Sequence, residues 1–268
     1  MLVSVVITTK NEEKNIGDLL ESLVIQEKPF EVVIVDSESR DGTQNIIKKY
    51  AEKHDEIKLY IKRGKRGECM NYAVKKAKGG FIVFLGADCI VDKSWLKEIK
   101  KMSQCDIMMG KIINVGSSRF KGLERMELYH KGYEITYPGC NTGYKKDVFE
   151  NINGFDPWFV TAEDIDLNYR AVNAGYKIVH NKNVVIYHKI RNTFSGIFKQ
   201  AFWNGYGRKQ LTMKHGRFWE KYRPMDMIKK NMSFWYFCRL CIGLLGYFVC
   251  KFFCIRPTHQ RAISEKVL

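Results

Sequence analysis

Six short segments hold the side chains that could do chemistry. Thr8-Thr9-Lys10-Asn11-Glu12 closes one apolar run, and Asp36-Ser37-Glu38-Ser39-Arg40-Asp41-Gly42-Thr43 closes another. Gly86-Ala87-Asp88 closes a third, so a buried run delivers one carboxylate just after a glycine. Lys62-Arg63-Gly64-Lys65-Arg66-Gly67-Glu68 is a basic loop. Its glycines permit close backbone approach and its cations suit a diphosphate. Glu163 and Asp164 open a helical pattern, and His188 follows the short apolar run Val184–Tyr187. Carboxylates and an imidazole together offer ligands for a divalent cation and a general base. Each segment also has a plain structural role open to it. An acid at a strand end caps the next helix, acids suit a helix's first turn, a basic loop is solvated, and a histidine closes a strand. Three polar strand ends on one edge favour a site.

The elements that position these residues follow from the hydrophobic pattern. Leu2–Thr8, Glu31–Asp36, Ile57–Ile61 and Phe81–Leu85 read as buried strands. Ile16, Leu19, Leu20 and Leu23 fall at helical spacing, as do Ile46, Ile47 and Tyr50, and Cys69–Lys78 is also helical. Strands alternating with helices predict an α/β fold with a mostly parallel sheet, whose ligands sit at the carboxyl ends of the strands. After Trp95 the pattern predicts a strand over Ile107–Val115, a helix over Phe120–Tyr133, a helix over Thr161–Ala174, and short strands at Tyr176–Val179 and Val184–Tyr187.

The character changes beyond residue 190, which divides the chain into 1–190 and a C-terminal region, 191–268. Phe194, Ile197, Phe198, Ala201, Phe202 and Tyr206 form one apolar stripe on a basic helix. Met232–Ile255 is apolar, but Arg239 and Lys251 interrupt it and leave 11 residues between them. A run of that length predicts an interfacial or protein-packed segment rather than a clean span. Of the net charge of +16, nine units fall within His188–Asn231, which implies an anionic partner. The basic helix and apolar tail suit an anionic membrane surface. Eight cysteines without a disulfide-type framework, and an N-terminus that reads as a strand, place the protein in a reducing cytoplasm. It would sit peripherally, or be anchored by its C-terminal region, on the inner face of the cell membrane. Cys238, Cys241, Cys250 and Cys254 have a superficial zinc spacing, but inside an apolar helical run they serve packing.

Taken in order, VSVVITTKNEEKNI, VVIVDSESRDGT, GKRGECMNYAVKKAKGGFIVFLGADC and TAEDIDLNYRA resemble the family 2 glycosyltransferases of GT-A fold, over about residues 2–190. The resemblance implies a Rossmann-like, mixed but mostly parallel sheet flanked by helices. It implies that Thr8, Asn11, Glu12 and Asp36 line the nucleobase and ribose pocket, with Asp36 facing the base and Ser39 and Asp41 in support. Lys65 and Asn71 match positions facing the donor. Gly86-Ala87-Asp88 takes the place of the family's Asp-x-Asp motif, with Ala87 beside the nucleotide and Asp88 on Mn²⁺ or Mg²⁺. The first acid of that motif is here Gly86. His188 matches a histidine that completes the metal site in some GT-A enzymes. Asp164 matches the general base, beside Glu163. Asn141, within Gly139–Gly143, matches the segment where donor sugar and acceptor meet; Glu163 is expected beside the sugar or acceptor, and Trp158 is a nearby aromatic on which a sugar face can stack.

The implied reaction is inverting transfer from a nucleotide-diphospho-sugar, UDP-linked sooner than GDP-linked, to a hydroxyl of a lipid-linked or polysaccharide acceptor. No nucleic-acid partner is expected. A sugar-nucleotidyltransferase would need a glycine-rich basic signature after the first strand, which Thr8–Glu13 lacks. A non-catalytic nucleotide- or RNA-binding protein would suit the basic tail but gives no reason for the ordered acids, which repel a phosphate backbone.

Overall fold

The computed structural model describes residues 1–116, 127–190, 193–216 and 234–255. Four strands alternate with three helices at the start: β1 (Val3–Thr9), α1 (Ile16–Val24), β2 (Phe30–Asp36), α2 (Thr43–Ala51), β3 (Ile57–Ile61), α3 (Arg66–Lys76) and β4 (Phe81–Gly86). Then come β5 (Cys89–Val91), α4 (Trp95–Met102), β6 (Ile107–Val115), β7 (Tyr129–His130), β8 (Tyr133–Glu134), β9 (Thr142–Lys145), α5 (Lys146–Asn151), α6 (Glu163–Asn173) and β10 (Ile178–Lys189). Two longer helices follow, α7 (Phe194–His215) and α8 (Phe234–Phe253).

Eight strands form one sheet in the order β3-β2-β1-β4-β9-β6-β10-β5. β1 pairs in parallel with β2 and β4, β2 with β3, and β6 with β10. Only β9 and β5 run against their neighbours. Because β9 is antiparallel to both β4 and β6, those two point the same way. Six strands therefore end on one edge, which collects Thr9, Asp36, Gly86, Val115 and Lys189. The chain leaves β1 toward β2 and β3, then returns to place β4 on the other side of β1. That reversal makes the carboxyl ends of β1 and β4 the switch point at which such sheets bind ligands.

The apolar pattern explains the core. β1 and β4 are buried almost throughout, as strands covered on both faces must be. Ile16, Leu19, Leu20 and Leu23 of α1 and Trp95, Leu96 and Ile99 of α4 are all fully buried against the sheet.

Two expectations change. The helix expected over Phe120–Tyr133 is, in its described part, a β-hairpin of β7 and β8; residues 120–126 lie outside the described residues. Lys131 (φ 48°) and Gly132 (φ 84°) both take the left-handed region that a two-residue hairpin turn demands. The two short strands expected at Tyr176–Val179 and Val184–Tyr187 are one strand, β10, with an irregularity. Asn181 pairs with Gly110 but Val185 pairs with Lys111, so β10 carries three extra residues, 182–184, against β6. Three is odd, and side chains alternate faces, so the insertion turns the rest of β10 over.

The chain divides into two compact units. One holds the sheet, α1–α5 and α6 from Asp164 onward. The other holds Trp158–Glu163 and the described chain from 193 onward. Within that second unit α7 and α8 pack at backbone distance. A Cβ on Gly205 would lie 1.7 Å from the Gly243 carbonyl oxygen, and one on Gly246 2.0 Å from that of Phe202. Among the described residues no helix is long and apolar enough to cross a membrane. Met232 and several cations of the C-terminal basic stretch, Arg217 and Lys221 among them, lie outside the described residues.

Candidate active site

The first cluster sits where β1 and β2 end side by side, with Thr9 and Asp36 in register. The Asp36 carboxylate is fully buried. It accepts from Thr9 Oγ1 (2.8 Å), the Ser39 backbone N–H (2.8 Å), Ser39 Oγ (2.5 Å) and Gln44 Nε2 (2.7 Å). Four donors fill its acceptor sites. The carboxylate expected to face the base also shapes the loop, because a buried carboxylate must be hydrogen-bonded. The facing loop is tied in by the Asn11 N–H to Ser39 Oγ (2.8 Å), and by the Arg40 N–H to Asn11 Oδ1 (2.9 Å). The Glu12 N–H donates to Thr43 Oγ1 (2.8 Å), and Glu12 Oε2 accepts from Asn15 Nδ2 (2.8 Å). Burial pushes the Asp41 carboxyl up, but donors from Thr43 and Glu13 outweigh it and hold it below the usual range. Thr8, on the neighbouring position of β1, is half-buried at the same edge.

The basic loop reaches this edge through β2. Ser37 Oγ donates to the Gly64 carbonyl (3.0 Å) and the Lys62 N–H to the Asp36 carbonyl (3.0 Å). Lys65 is the N-cap of α3, and its N–H donates to Glu68 Oε2 (2.7 Å). Its Nζ donates to the Pro157 carbonyl (3.0 Å). Asn71, expected to face the donor, has both ends of its amide on the backbone of Phe155, at 2.7 and 2.9 Å. It fastens the loop after Gly154 to α3.

The second cluster follows β4. Gly86 ends the strand, Ala87 is buried, and Asp88 turns back over Gly86. A Cβ on residue 86 would lie 2.6 Å from Asp88 Oδ1. The acid missing from position 86 is thus replaced by space that the Asp88 carboxylate occupies. Asp88 Oδ2 lies 3.4 Å from His188 Nε2, near the end of β10. A divalent cation is implied by the family resemblance, and these donors can be tested for fit. Two adjacent ligands of an octahedral ion at about 2.1 Å stand about 3.0 Å apart. The observed spacing suits such a pair after a small closure. Among the described residues no three His, Cys, Asp or Glu side chains are grouped to hold a metal. The pair is a two-point seat that fits an ion carrying other oxygen ligands with it.

The third cluster is the segment before β9. The Gly139 N–H donates to Asp164 Oδ2 (2.9 Å), at the start of α6. A Cβ on residue 139 would lie 3.0 Å from that of Asp164, so the absence of a side chain lets the loop close on the acid. Cys140, the next residue, feels the second cluster. Its thiol is held below the ordinary value chiefly by a hydrogen bond with Cys89, against burial, and then by the charges of His188 and Arg66, with Asp88 opposing. Cys89 is correspondingly pushed up by Cys140 and by burial. Asn141 stands in the segment expected to meet the sugar. Its side chain is fully buried. Oδ1 accepts from Trp95 Nε1 (2.8 Å), while Nδ2 donates to the carbonyls of Lys111 (3.0 Å) and Val184 (2.9 Å). Both polar atoms of the amide are hydrogen-bonded within the protein. Asn141 bridges β6 to the irregular part of β10.

Asp166 points away and pairs with Arg170 (2.8 Å), whose guanidinium also donates to the Gly154 carbonyl (2.5 Å). Glu163 and Trp158 belong to the second unit and both are buried there. Trp158 Nε1 donates to the Ile255 carbonyl (3.3 Å), and its ring packs edge-on against Phe159. Among the described residues, four of the six non-glycine residues with positive φ are Asn11, Glu38, Asn141 and Ala162, so left-handed backbone gathers in these segments. Sequence reasoning gave Thr9 and Cys140 no role of their own within their segments, and it missed Gln44. Thr9 could have been found, since it stands opposite Asp36 once two parallel strands are aligned. Gln44 carries no local signal.

The sequence profile of Glycosyl transferase family 2 matches residues 4–152, more than half of the chain. A curated relative from Methanococcus voltae, dolichyl N-acetyl-alpha-D-glucosaminyl phosphate 3-beta-D-2,3-diacetamido-2,3-dideoxy-beta-D-glucuronosyltransferase, is 28% identical over 242 residues, 81% of this chain and 75% of its own. Glycosyltransferase AglE of Haloferax volcanii is 25% identical over 226 residues, 79% of this chain and 74% of its own. Two solved structures share the fold. S. aureus TarS 1-349 in complex with UDP-GlcNAc superposes with a TM-score of 0.62 at 20% identity, covering 98% of this chain and 84% of its own. The mannosyltransferase PcManGT from Pyrobaculum calidifontis, in complex with GDP-Man and Mn²⁺, gives 0.64 at 17% identity, covering 98% and 78%.

Proposed function

The chain belongs to glycosyl transferase family 2, and from that membership we propose that it moves a sugar, with inversion, from a nucleotide-diphospho-sugar to a hydroxyl of a lipid-linked or polysaccharide acceptor. One observation carries the reading. Gly139 is bonded to Asp164, and its neighbour Cys140 lies in the field of Asp88, His188 and Arg66. Adjacent residues are about 3.8 Å apart at Cα. A candidate base and the groups suited to a leaving diphosphate thus face the same two residues.

In this mechanism Asp164 Oδ accepts the proton of the acceptor hydroxyl. The acceptor oxygen forms its bond to the anomeric carbon as the bond from that carbon to the diphosphate breaks on the opposite face. The nucleoside diphosphate leaves with the bonding pair. Arg66 and Lys65, at the start of α3, meet the charge that develops on it, where backbone N–H groups also favour an anion. Asp88 and His188 would hold Mn²⁺ or Mg²⁺, which when bound supplies further neutralisation of the diphosphate. The UDP-GlcNAc and GDP-Man of the structural neighbours support a nucleotide-sugar donor. The Methanococcus voltae relative's name, with its dolichyl phosphate, supports a lipid-linked acceptor.

The second unit supports placement on an anionic membrane. α7 and α8 carry Lys199, Arg208, Lys209, Lys214, Arg239 and Lys251 and no acid. Phe237, Cys241, Leu244, Leu245, Phe248 and Phe252 form one exposed stripe of α8.

The test is a panel of UDP- and GDP-sugars, with and without Mn²⁺, scored by nucleotide release and thermal shift. Asp164→Asn is expected to lose about 10²- to 10⁴-fold in turnover while keeping donor binding. Full activity in that variant would remove Asp164 as the base. Flat responses to every donor would refute the donor assignment.

A further inference from the structure

His188 is held from both sides. In β10 it is in register with Asn114 of β6 on one flank and with Cys89 of β5 on the other. Residues paired in register share a face of the sheet. Asn114 Oδ1 lies 3.2 Å from His188 Nδ1, and Asp88 Oδ2 lies 3.4 Å from Nε2. An amide oxygen can only accept. The first contact is therefore a hydrogen bond when Nδ1 carries the hydrogen. A neutral ring in that form turns the bare lone pair of Nε2 toward a carboxylate oxygen. Two lone-pair atoms at that distance repel, and a cation between them turns the repulsion into chelation.

We propose that Asn114 is a positioning residue that fixes His188 in its Nδ1–H tautomer, so that Nε2 and Asp88 together seat a divalent cation. The cation part deepens the glycosyltransferase reading above and rests on it; the tautomer part stands on geometry alone. Hydrogen bonding at one ring nitrogen decides which nitrogen is free for a metal, and such outer partners tune affinity. Asn114 becomes the partner only because β10 carries its three extra residues. Counting on from the Asn181–Gly110 pair without them, His188 would stand beside residue 117. Asn141 bridges the carbonyls of Lys111 and Val184 at that irregularity, so the register that delivers Asn114 is itself fastened.

The experiment compares the full-length protein with Asn114→Leu, which keeps the size but cannot accept, and Asn114→Asp, which keeps an acceptor. Histidine-selective ¹⁵N NMR of the metal-free protein, at about pH 8 where an ordinary imidazole is neutral, reads the tautomer. The His188 signals are identified by their loss in His188→Gln. Wild type and Asn114→Asp are expected to show Nδ1–H, and Asn114→Leu a shift toward Nε2–H. Mn²⁺ binding in the presence of UDP, read by electron paramagnetic resonance, is expected to weaken about 10- to 100-fold in Asn114→Leu. It should recover in Asn114→Asp, with the melting temperature level across all three. A wild type already in the Nε2–H form, or an Asn114→Leu protein with unchanged tautomer and unchanged Mn²⁺ affinity, overturns the proposal. If the tautomer shifts as expected but wild type binds no Mn²⁺, the seat and the metal part of the glycosyltransferase reading fall together.

Discussion

Asp88 owes its aim to a residue two places earlier. With no side chain at Gly86, the carboxylate folds into the space where a Cβ would come within 2.6 Å of it. Gly86 has no positive φ, so alanine is acceptable to its backbone. Gly86→Ala should therefore fold normally while pushing the Asp88 carboxylate away from His188. Mn²⁺ affinity with UDP is expected to fall on the order of tenfold, read by calorimetry. An affinity equal to that of wild type would mean that Asp88 does not use this pose. The acids themselves were legible from sequence only together, because one acid at a strand end can simply cap the next helix while three polar strand ends on one edge favour a site. Their partners were not. The resemblance implies that Asp36 faces the base, and Thr9 and Gln44 come from other elements to hold its carboxylate. Nothing local to Asp36 announces either.

At the scale of elements the clamp is Asn141. Gly110 makes room for it: a Cβ there would sit 2.3 Å from Asn141 Nδ2 and 2.5 Å from the Val184 carbonyl oxygen. The clamp carries φ 64°, an ordinary adjustment for asparagine and a strained one for most residues. Asn141→Ala would strand the Trp95 N–H and lose the donor to two carbonyls. Each unsatisfied buried group costs about 1–3 kcal/mol, so the variant should lose about 3 kcal/mol or more in urea unfolding. A loss below about 1 kcal/mol would show that water or a shifted strand replaces the amide. Most elements could be read from the apolar period, and α1 through β4 follow it closely. The two misreadings have physical causes. The polar residues Lys182 and Asn183 look like a break between strands, whereas they belong to an insertion that the sheet absorbs. Residues 127–133 have spacing that fits a helix, but Lys131-Gly132 is a hairpin turn, and turn chemistry outweighs a short period.

At the scale of the whole molecule, charge separates from chemistry. Asp36, Asp41, Asp88 and Asp164 lie in the sheet unit, while α7 and α8 carry cations and no acid. Near an anionic surface each Lys or Arg contributes about 1 kcal/mol, and the exposed stripe of α8 adds apolar contact. The protein is expected to sediment with phosphatidylglycerol vesicles, to ignore neutral phosphatidylcholine ones, and to be released by high salt. Leu245→Asp with Phe248→Asp should abolish retention while leaving turnover on a soluble acceptor intact. Equal binding to neutral vesicles, or undiminished retention of the double variant, would refute this surface as the membrane contact. The basic tail could be read from sequence, as could its apolar stripe. The backbone contacts between Gly205 and Gly243 could not, because they need two helices to be placed before the glycines acquire a meaning.

The three extra residues of β10 also bear on how relatives of this chain should be aligned. Paired residues share a face, so a relative that lacks all three extra residues pairs β10 with β6 without a break and still brings its histidine beside the position of Asn114. An alignment that slides the gap through this stretch will therefore match that histidine to the wrong column while every hydrophobic residue still falls in an apolar place.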